Sequence, residues 1–261
     1  MPDLIVNKLR YPVKGILFDK DGTLLDFISL WGHWSESVYR HYASLLPRGN
    51  EKIAPLPELW GTVHDASGRV SDYSRSGPLA MGSTGDLLAV LAWQGYRLGL
   101  PWGESMRLAR ESKRLADEEM EQVRPAYPLP ELIPFLRQCH NQGLSMGIVT
   151  ADETADAAKH LEWMGIRPFF RTIVGNDRVE RGKPYPDMVE KACRELGLKP
   201  AEVAVIGDTN GDMQMGNAAG AAVTIGIVGA EALNDERSLS DAMAKVSAYA
   251  QLHLEAFVHE G

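Results

Sequence analysis

The sequence predicts an α/β fold in which a parallel sheet, covered by helices on both faces, is interrupted after its first strand by a mainly helical insertion. Three observations predict it. From about residue 128 onward, short apolar runs of strand length alternate with amphipathic helical stretches. One more apolar run, "GILF" at 15–18, stands alone near the N-terminus. Residues 26–127 read as helices with no continuous apolar strand among them. Near-continuous apolar strands alternating with helices are what a sheet buried on both faces requires. The expected division is therefore 1–25 for the first strand and the loop after it, 26–127 for the insertion, and 128–261 for the rest of the α/β part.

In the insertion, "HWSESVYRHYASLL", "STGDLLAVLAWQG" and "WGESMRLARESKRLADEEMEQV" carry helical patterns. "GTVHDASGRVSDYSRSGPLAMG", rich in Gly and Ser, predicts a loop or a small hairpin. "RPAYPLP" at 124–130 has three prolines in seven residues and reads as a stiff connector. "PELIPFLRQCHNQG" then puts Leu132, Leu136 and Cys139 on one helical face and closes on Gly143. After the strand "LSMGIVT", "TADAAKHLEWMG" repeats that spacing at Ala157, Leu161 and Met164 and closes on Gly165. "RTIVG" is a strand, and "PDMVEKACRELG" is a helix with Pro186 near its first turn and Gly197 after its last. "VAVIG", a helix over 212–219 and "AVTIG" complete the series.

The composition narrows the function classes. A length of 261 residues suits one large domain or two modest ones, and 44% hydrophobic with 24% charged residues is ordinary for a globular chain. A formal net charge of −8 argues against non-specific nucleic-acid binding but leaves a local anion site open. Cys139 and Cys193 form neither a disulfide framework nor a metal-ligand spacing; each lies on an apolar helical stripe and is expected as a buried thiol in a reducing compartment. The N-terminal stretch has no apolar run long enough for a signal peptide or a membrane span, so the expectation is a cytoplasmic protein with no membrane or nucleic-acid partner.

Chemistry is suggested by position. In "ILFDKDGTLLDF" (16–27) the Asp-Gly pair between apolar runs is a hairpin signal when taken alone. Thr150-Ala151-Asp152, however, follows the strand "MGIV", and Asp208-Thr209-Asn210-Gly211-Asp212 follows "VAVI". Three polar clusters thus fall just past the carboxyl ends of three predicted parallel strands, where open α/β sheets bind ligands. If those ends converge, Asp19, Asp21, Asp208 and Asp212 share one crevice. At a separation of about 4 Å and an effective dielectric of about 20, each like-charged pair costs about 4 kcal/mol. A cation is needed, and an all-oxygen donor set without His or Cys favours Mg2+.

Lys183, in "RGKPYPD" ahead of a helix N-terminus, is a candidate for further compensation and for anion binding. Pro184 stands where a phosphate loop requires Ser or Thr, and Gly22 arrives at the fourth rather than the sixth position of a calcium loop, so neither motif applies. There is no Gly-x-Ser-x-Gly elbow. The seven histidines show no paired spacing and are assigned no role. Strand alternation turns Lys20 away from one or both neighbouring acids, and it too is assigned none.

"DKDGT", the strand-terminal Thr150, Lys183 in "GKPYPD" and "GDTNGD" match in order the four motifs of the haloacid dehalogenase superfamily, which the whole chain resembles. The last two motifs look most like its phosphoglycolate-phosphatase and β-phosphoglucomutase branch. The resemblance implies a Rossmann-like core with an inserted helical cap domain, and a magnesium-dependent phosphatase acting on a small-molecule phosphate ester such as phosphoglycolate or a sugar phosphate. It makes Asp19 the nucleophile of a phospho-aspartyl intermediate and Asp21 the acid and base. Thr150, Ala151 and Lys183 would bind the phosphoryl group. Mg2+ would be held at Asp19, Asp21 (through its backbone carbonyl) and Asp208, with Asp212 as a ligand or a partner of ligands. Gly22 allows the tight turn, and Thr23 is expected to brace it.

Members of the family that displace halide lack the second aspartate, so Asp21 favours phosphoryl transfer. A sugar-phosphate mutase shares all four motifs and stays open as the alternative. Phosphoryl-accepting signalling modules are about half this length and lack the insertion. In the insertion, His64, Arg69 and Arg75 are candidates to contact a substrate carboxylate or sugar, while Trp31 and Trp34 are expected in its core.

Overall fold

The structure is a computed structural model that describes residues 2–47, 53–230, 233 and 239–255. The chain divides into two compact units, one made of the residues up to Asp26 together with those from Ala126 onward, the other of Phe27–Pro125.

The first unit is built on a six-stranded sheet. Its strands are β3 (Gly15–Phe18), β6 (Ser145–Val149), β7 (Thr172–Val174), β8 (Val203–Gly207), β9 (Val223–Ile227) and β10 (Ala244–Val246), in the spatial order β10-β9-β8-β3-β6-β7. Every neighbouring pair is parallel. Counted in chain order, that is the doubly wound arrangement whose strand order reverses between β3 and β8, and ligands bind at such a switch point. All residues of β3, β8 and β9 are buried, which explains why these strands read as unbroken apolar runs rather than as alternating ones.

The covering helices are α6 (Leu132–Asn141), α7 (Thr154–Trp163), α8 (Asp187–Leu196) and α9 (Asn210–Ala219). Their apolar faces recur at helical spacing, as in α8, which buries Met188, Val189, Ala192, Cys193 and Leu196 against Val149, Val174 and Val205 of the sheet. Cys139 and Cys193 are both buried, and burial pushes their thiols up to about 12 and about 11, so neither is suited to nucleophilic chemistry.

Three features of this unit differ from the sequence reading. β1 (Asp3–Val6) and β2 (Leu9–Pro12) form an antiparallel hairpin, and β11 (Leu252–Glu255) pairs with β1 to make a separate three-stranded sheet. The hairpin turns on Asn7 and Lys8, both at positive φ (51° and 68°), the backbone of a two-residue primed turn without its usual glycine. β10 is also additional to the strands expected. Finally, the Asp-Gly pair at 21–22 does not make a hairpin: the N–H groups of Leu24 and Leu25 both donate to the carbonyl of Lys20, so the chain coils back on itself.

The second unit contains α1 (His33–Leu45), α2 (Leu56–Trp60), the antiparallel strands β4 (Thr62–His64) and β5 (Val70–Tyr73), α3 (Pro78–Met81), α4 (Thr84–Arg97) and α5 (Trp102–Val123). α1 and α4 both pack on α5. Trp34 is buried, stacks on Trp60 at 5.7 Å and donates from Nε1 to Asp117 at 3.0 Å, with Trp31 edge-on at 5.4 Å. Among the described residues, no helix is long and apolar enough to cross a membrane.

Candidate active site

Strand register brings the polar clusters to one level. Phe18 pairs with Ile148 of β6 on one side and with Ile206 of β8 on the other, so Asp19, Thr150 and Asp208 all emerge just past the sheet's carboxyl edge. Asp19 is tied there by its N–H, which donates to the Ile206 carbonyl at 2.8 Å. Gly22 is needed at the turn that follows: its φ is +76°, and a Cβ would come within 2.1 Å of Asp208 Oδ2.

Asp212 is placed by a helix start. Thr209 caps α9 in a reciprocal box: its Oγ1 accepts the Asp212 N–H at 3.3 Å, while Asp212 Oδ2 accepts the Thr209 N–H at 3.0 Å and hydroxyl at 2.6 Å. That leaves Asp212 Oδ1 to meet Lys183 Nζ at 2.6 Å, and the same ammonium lies 2.5 Å from Asp19 Oδ1. Asp19, Asp208 and Asp212 each present an oxygen within 4.8 Å of the others. The Thr23 hydroxyl reaches Asp19 and Asp208 only at 3.5 and 3.4 Å, but the Thr23 carbonyl is held by the buried Tyr249 hydroxyl at 2.9 Å.

The electrostatics follow from burial and crowding. Burial pushes the Asp19 carboxyl up to about 7; Lys183 opposes the shift, and Asp212 and Asp21 add to it. Burial, then Asp19 and Asp212, likewise hold Asp208 well above the usual carboxylate range. Burial works against the Lys183 ammonium, but Asp19 and Asp212 outweigh it and raise its pKa. Three oxygen donors so close, under-compensated by one lysine, fit a hard divalent cation such as magnesium.

The folded chain without metal keeps a proton on Asp19 that the unfolded chain, titrating near 3.8, gives up. The stability this group contributes is present below that pH and is lost as pH rises through about 7. A cation that needs the ionised carboxylate takes over from the proton, so magnesium is expected to raise Tm more at about pH 8 than at about pH 5. Thermal scans with magnesium and with a chelator check this; an equal rise at both pH values would count against a cation on Asp19.

The structure places the other sequence-predicted residues as follows. Thr150 is buried at the end of β6, and its Oγ1 accepts the Asp152 N–H at 3.2 Å; Ala151 is exposed beside it. The Asp21 carboxylate is not one of the clustered oxygens; its Oδ1 lies 3.0 Å from Lys20 Nζ. The second unit carries the remaining three. His64 bonds within its own hairpin, with Nε2 3.0 Å from Thr62 Oγ1 and Nδ1 3.0 Å from the Gly68 carbonyl. Arg75 donates to Asp72 Oδ1 and the Tyr73 carbonyl, both at 3.0 Å, and covers the Tyr73 ring. Arg69 is exposed.

Two residues given no role in the sequence have polar partners. Lys20 meets one of its neighbouring acids, Asp21, because β3 ends at Phe18 and strand alternation no longer governs the residues after it. His160 is buried on α7, and its Nδ1 sits 3.0 Å from Lys20 Nζ.

The haloacid dehalogenase-like hydrolase family profile matches residues 13–220, well over half of the chain, and the protein belongs to that family. It is similar to the phosphoglycolate phosphatase of Salmonella typhi, at 29% identity over 220 residues covering 82% of this chain and 81% of that one. The phosphoglycolate phosphatase of Shigella flexneri is 27% identical over 218 residues, with the same coverage of 82% and 81%. Among solved structures, the β-phosphoglucomutase of Clostridium difficile aligns with TM-score 0.61 at 17% identity, covering 92% of each chain. CbbY from Rhodobacter sphaeroides, solved in complex with phosphate, aligns with TM-score 0.62 at 17% identity, covering 91% of this chain and 95% of that one. These two likenesses show the shared fold.

Proposed function

We propose that the protein is a magnesium-dependent phosphatase that hydrolyses a small phosphorylated metabolite through a phospho-aspartyl intermediate on Asp19. The observation that carries this reading is Lys183 Nζ, which touches both Asp19 and Asp212 while Asp208 completes the carboxylate cluster at the sheet's switch point. A carboxylate so placed is a nucleophile beside a cation that also suits phosphoryl oxygens.

In the first step, an oxygen of Asp19 attacks phosphorus and the bond from phosphorus to the ester oxygen breaks. The Asp21 carboxyl gives its proton to the departing alkoxide. In the second, Asp21 takes a proton from water as that water attacks phosphorus, which frees the Asp19 carboxylate and inorganic phosphate. Lys183, the Thr150 hydroxyl and the loop at Ala151 hold the phosphoryl oxygens. Asp19, Asp208, Asp212 and the Asp21 backbone carbonyl would hold magnesium, which would supply positive charge to the transferring group.

Phosphoglycolate is the first substrate to try, since the similar curated proteins are phosphoglycolate phosphatases. Discrimination among substrates is assigned to the insertion, with His64, Arg69 and Arg75 of its hairpin as the polar candidates, and a cytoplasmic location accords with the two buried, unpaired thiols. A sugar-phosphate mutase is the second reading, favoured by the β-phosphoglucomutase likeness. A phosphate-release screen over metabolite phosphates, with magnesium and with a chelator, tests both. Magnesium-dependent release of inorganic phosphate is expected. Release that a chelator leaves untouched would sink the mechanism, and an isomerised phosphosugar without free phosphate would replace it by the mutase.

A further inference from the structure

We propose that Lys20, the residue between the two aspartates, is a positioning residue for Asp21, and that Asp152 and His160 hold it in that task. The inference rests on the proton-transfer role assigned to Asp21 above.

Lys20 is fully buried, and a buried ammonium is costly unless it is paired. Its Nζ lies 3.0 Å from Asp21 Oδ1, 2.9 Å from Asp152 Oδ2 and 3.0 Å from His160 Nδ1. The ammonium thus meets two carboxylates and an imidazole, and since an ammonium only donates, His160 accepts at Nδ1. Burial works against this ammonium, but Asp21 and Asp152 outweigh it and raise its pKa.

The far end of the contact is anchored on the sheet. Asp152 follows β6, its N–H donates to Thr150 Oγ1 at 3.2 Å, its Oδ1 accepts the Glu153 N–H at 2.9 Å, and its carbonyl accepts the Asn176 N–H at 3.0 Å. A rigid post therefore runs from Thr150, proposed to hold the phosphoryl group, through Asp152 and Lys20 to one oxygen of Asp21. Proton transfer needs only the other oxygen, and needs it within hydrogen-bond reach of the leaving atom.

The test separates positioning from mere charge balance at Asp152. β-Glycerophosphate has an alkoxide leaving group that must be protonated, whereas p-nitrophenyl phosphate releases a stable phenolate. Lys20→Met is expected to lower kcat/KM on the first by about 100-fold and on the second by no more than about 5-fold. Asp152→Asn, which keeps the side chain's shape, is expected to show the same split with smaller amplitude. Equal losses on both esters would overturn the proposal. A crystal structure of Lys20→Met adds a readout independent of activity: a displaced Asp21 carboxylate supports positioning, and an unmoved one contradicts it. Wild-type inactivity on both esters would count against the phosphatase reading itself, and the Asp21 position in the variant would then decide the role of Lys20.

Discussion

Asp19→Asn is expected to abolish phosphate release, by a factor on the order of 10⁴ to 10⁶ in kcat, the range found when an enzyme loses a member of its nucleophilic machinery. The amide keeps the shape of the carboxylate but cannot form the acyl phosphate. Its effect on stability should have the opposite sign. Burial pushes Asp19 up to about 7, so above that pH the wild-type protein without metal carries an ionised carboxylate beside Asp212 and Asp21. The asparagine avoids that charge, and its carbonyl oxygen remains available to Lys183. The variant should therefore melt no lower than wild type at about pH 8 in chelator, and gain less from added magnesium. Steady-state phosphate release paired with thermal scans checks both halves. A variant at full rate removes Asp19 as nucleophile, and an undiminished magnesium shift removes it as a cation ligand.

How much of this site was legible in the sequence depends on the reach of each interaction. Asp19, Thr150 and Asp208 are readable because each directly follows an apolar strand, and parallel pairing in register then sets them side by side. The reciprocal cap at Thr209 and Asp212 is also local, a T-x-x-D pattern at a helix start, and it explains why Asp212 shows only one oxygen to Lys183. By contrast, Asp152 and His160, which meet Lys20, lie 132 and 140 residues away along the chain, and no periodicity announces them. Tyr249, whose hydroxyl reaches the Thr23 carbonyl, is 226 residues distant and reads as an ordinary aromatic near the C-terminus. The β1–β2 hairpin escaped notice for a different reason: Asn7-Lys8 adopts the primed turn without the glycine that usually marks it. Pairings set by neighbours in sequence are visible, and pairings set by packing are not.

Lys183→Met is the other substitution expected to have a large effect, and it should act on both stability and rate. The Lys183 ammonium is 2.5 Å from Asp19 Oδ1 and 2.6 Å from Asp212 Oδ1. Removing one member of a buried ion pair typically costs about 3–5 kcal/mol, because the partner charge is left uncompensated. Here the partners can escape part of that cost by taking protons. Lys183 is the group that opposes the upward shifts of Asp19 and Asp208, so without it both carboxyls move higher still. Raised carboxyl pKa values give stability that is present at low pH and lost as pH rises through them. The melting deficit of the variant should thus be small near pH 4 and grow toward about pH 8. Magnesium should recover part of it by supplying the missing positive charge. Activity should not recover with it, because the lysine also holds the phosphoryl oxygens; a loss of about 10²- to 10³-fold in kcat is expected even at saturating magnesium. Lys183→Arg should fail to rescue the rate, since a planar fork does not replace a compact ammonium between two carboxylates. A melting deficit that stays constant across pH would mean that Lys183 is held by packing, and that its contacts with Asp19 and Asp212 contribute little.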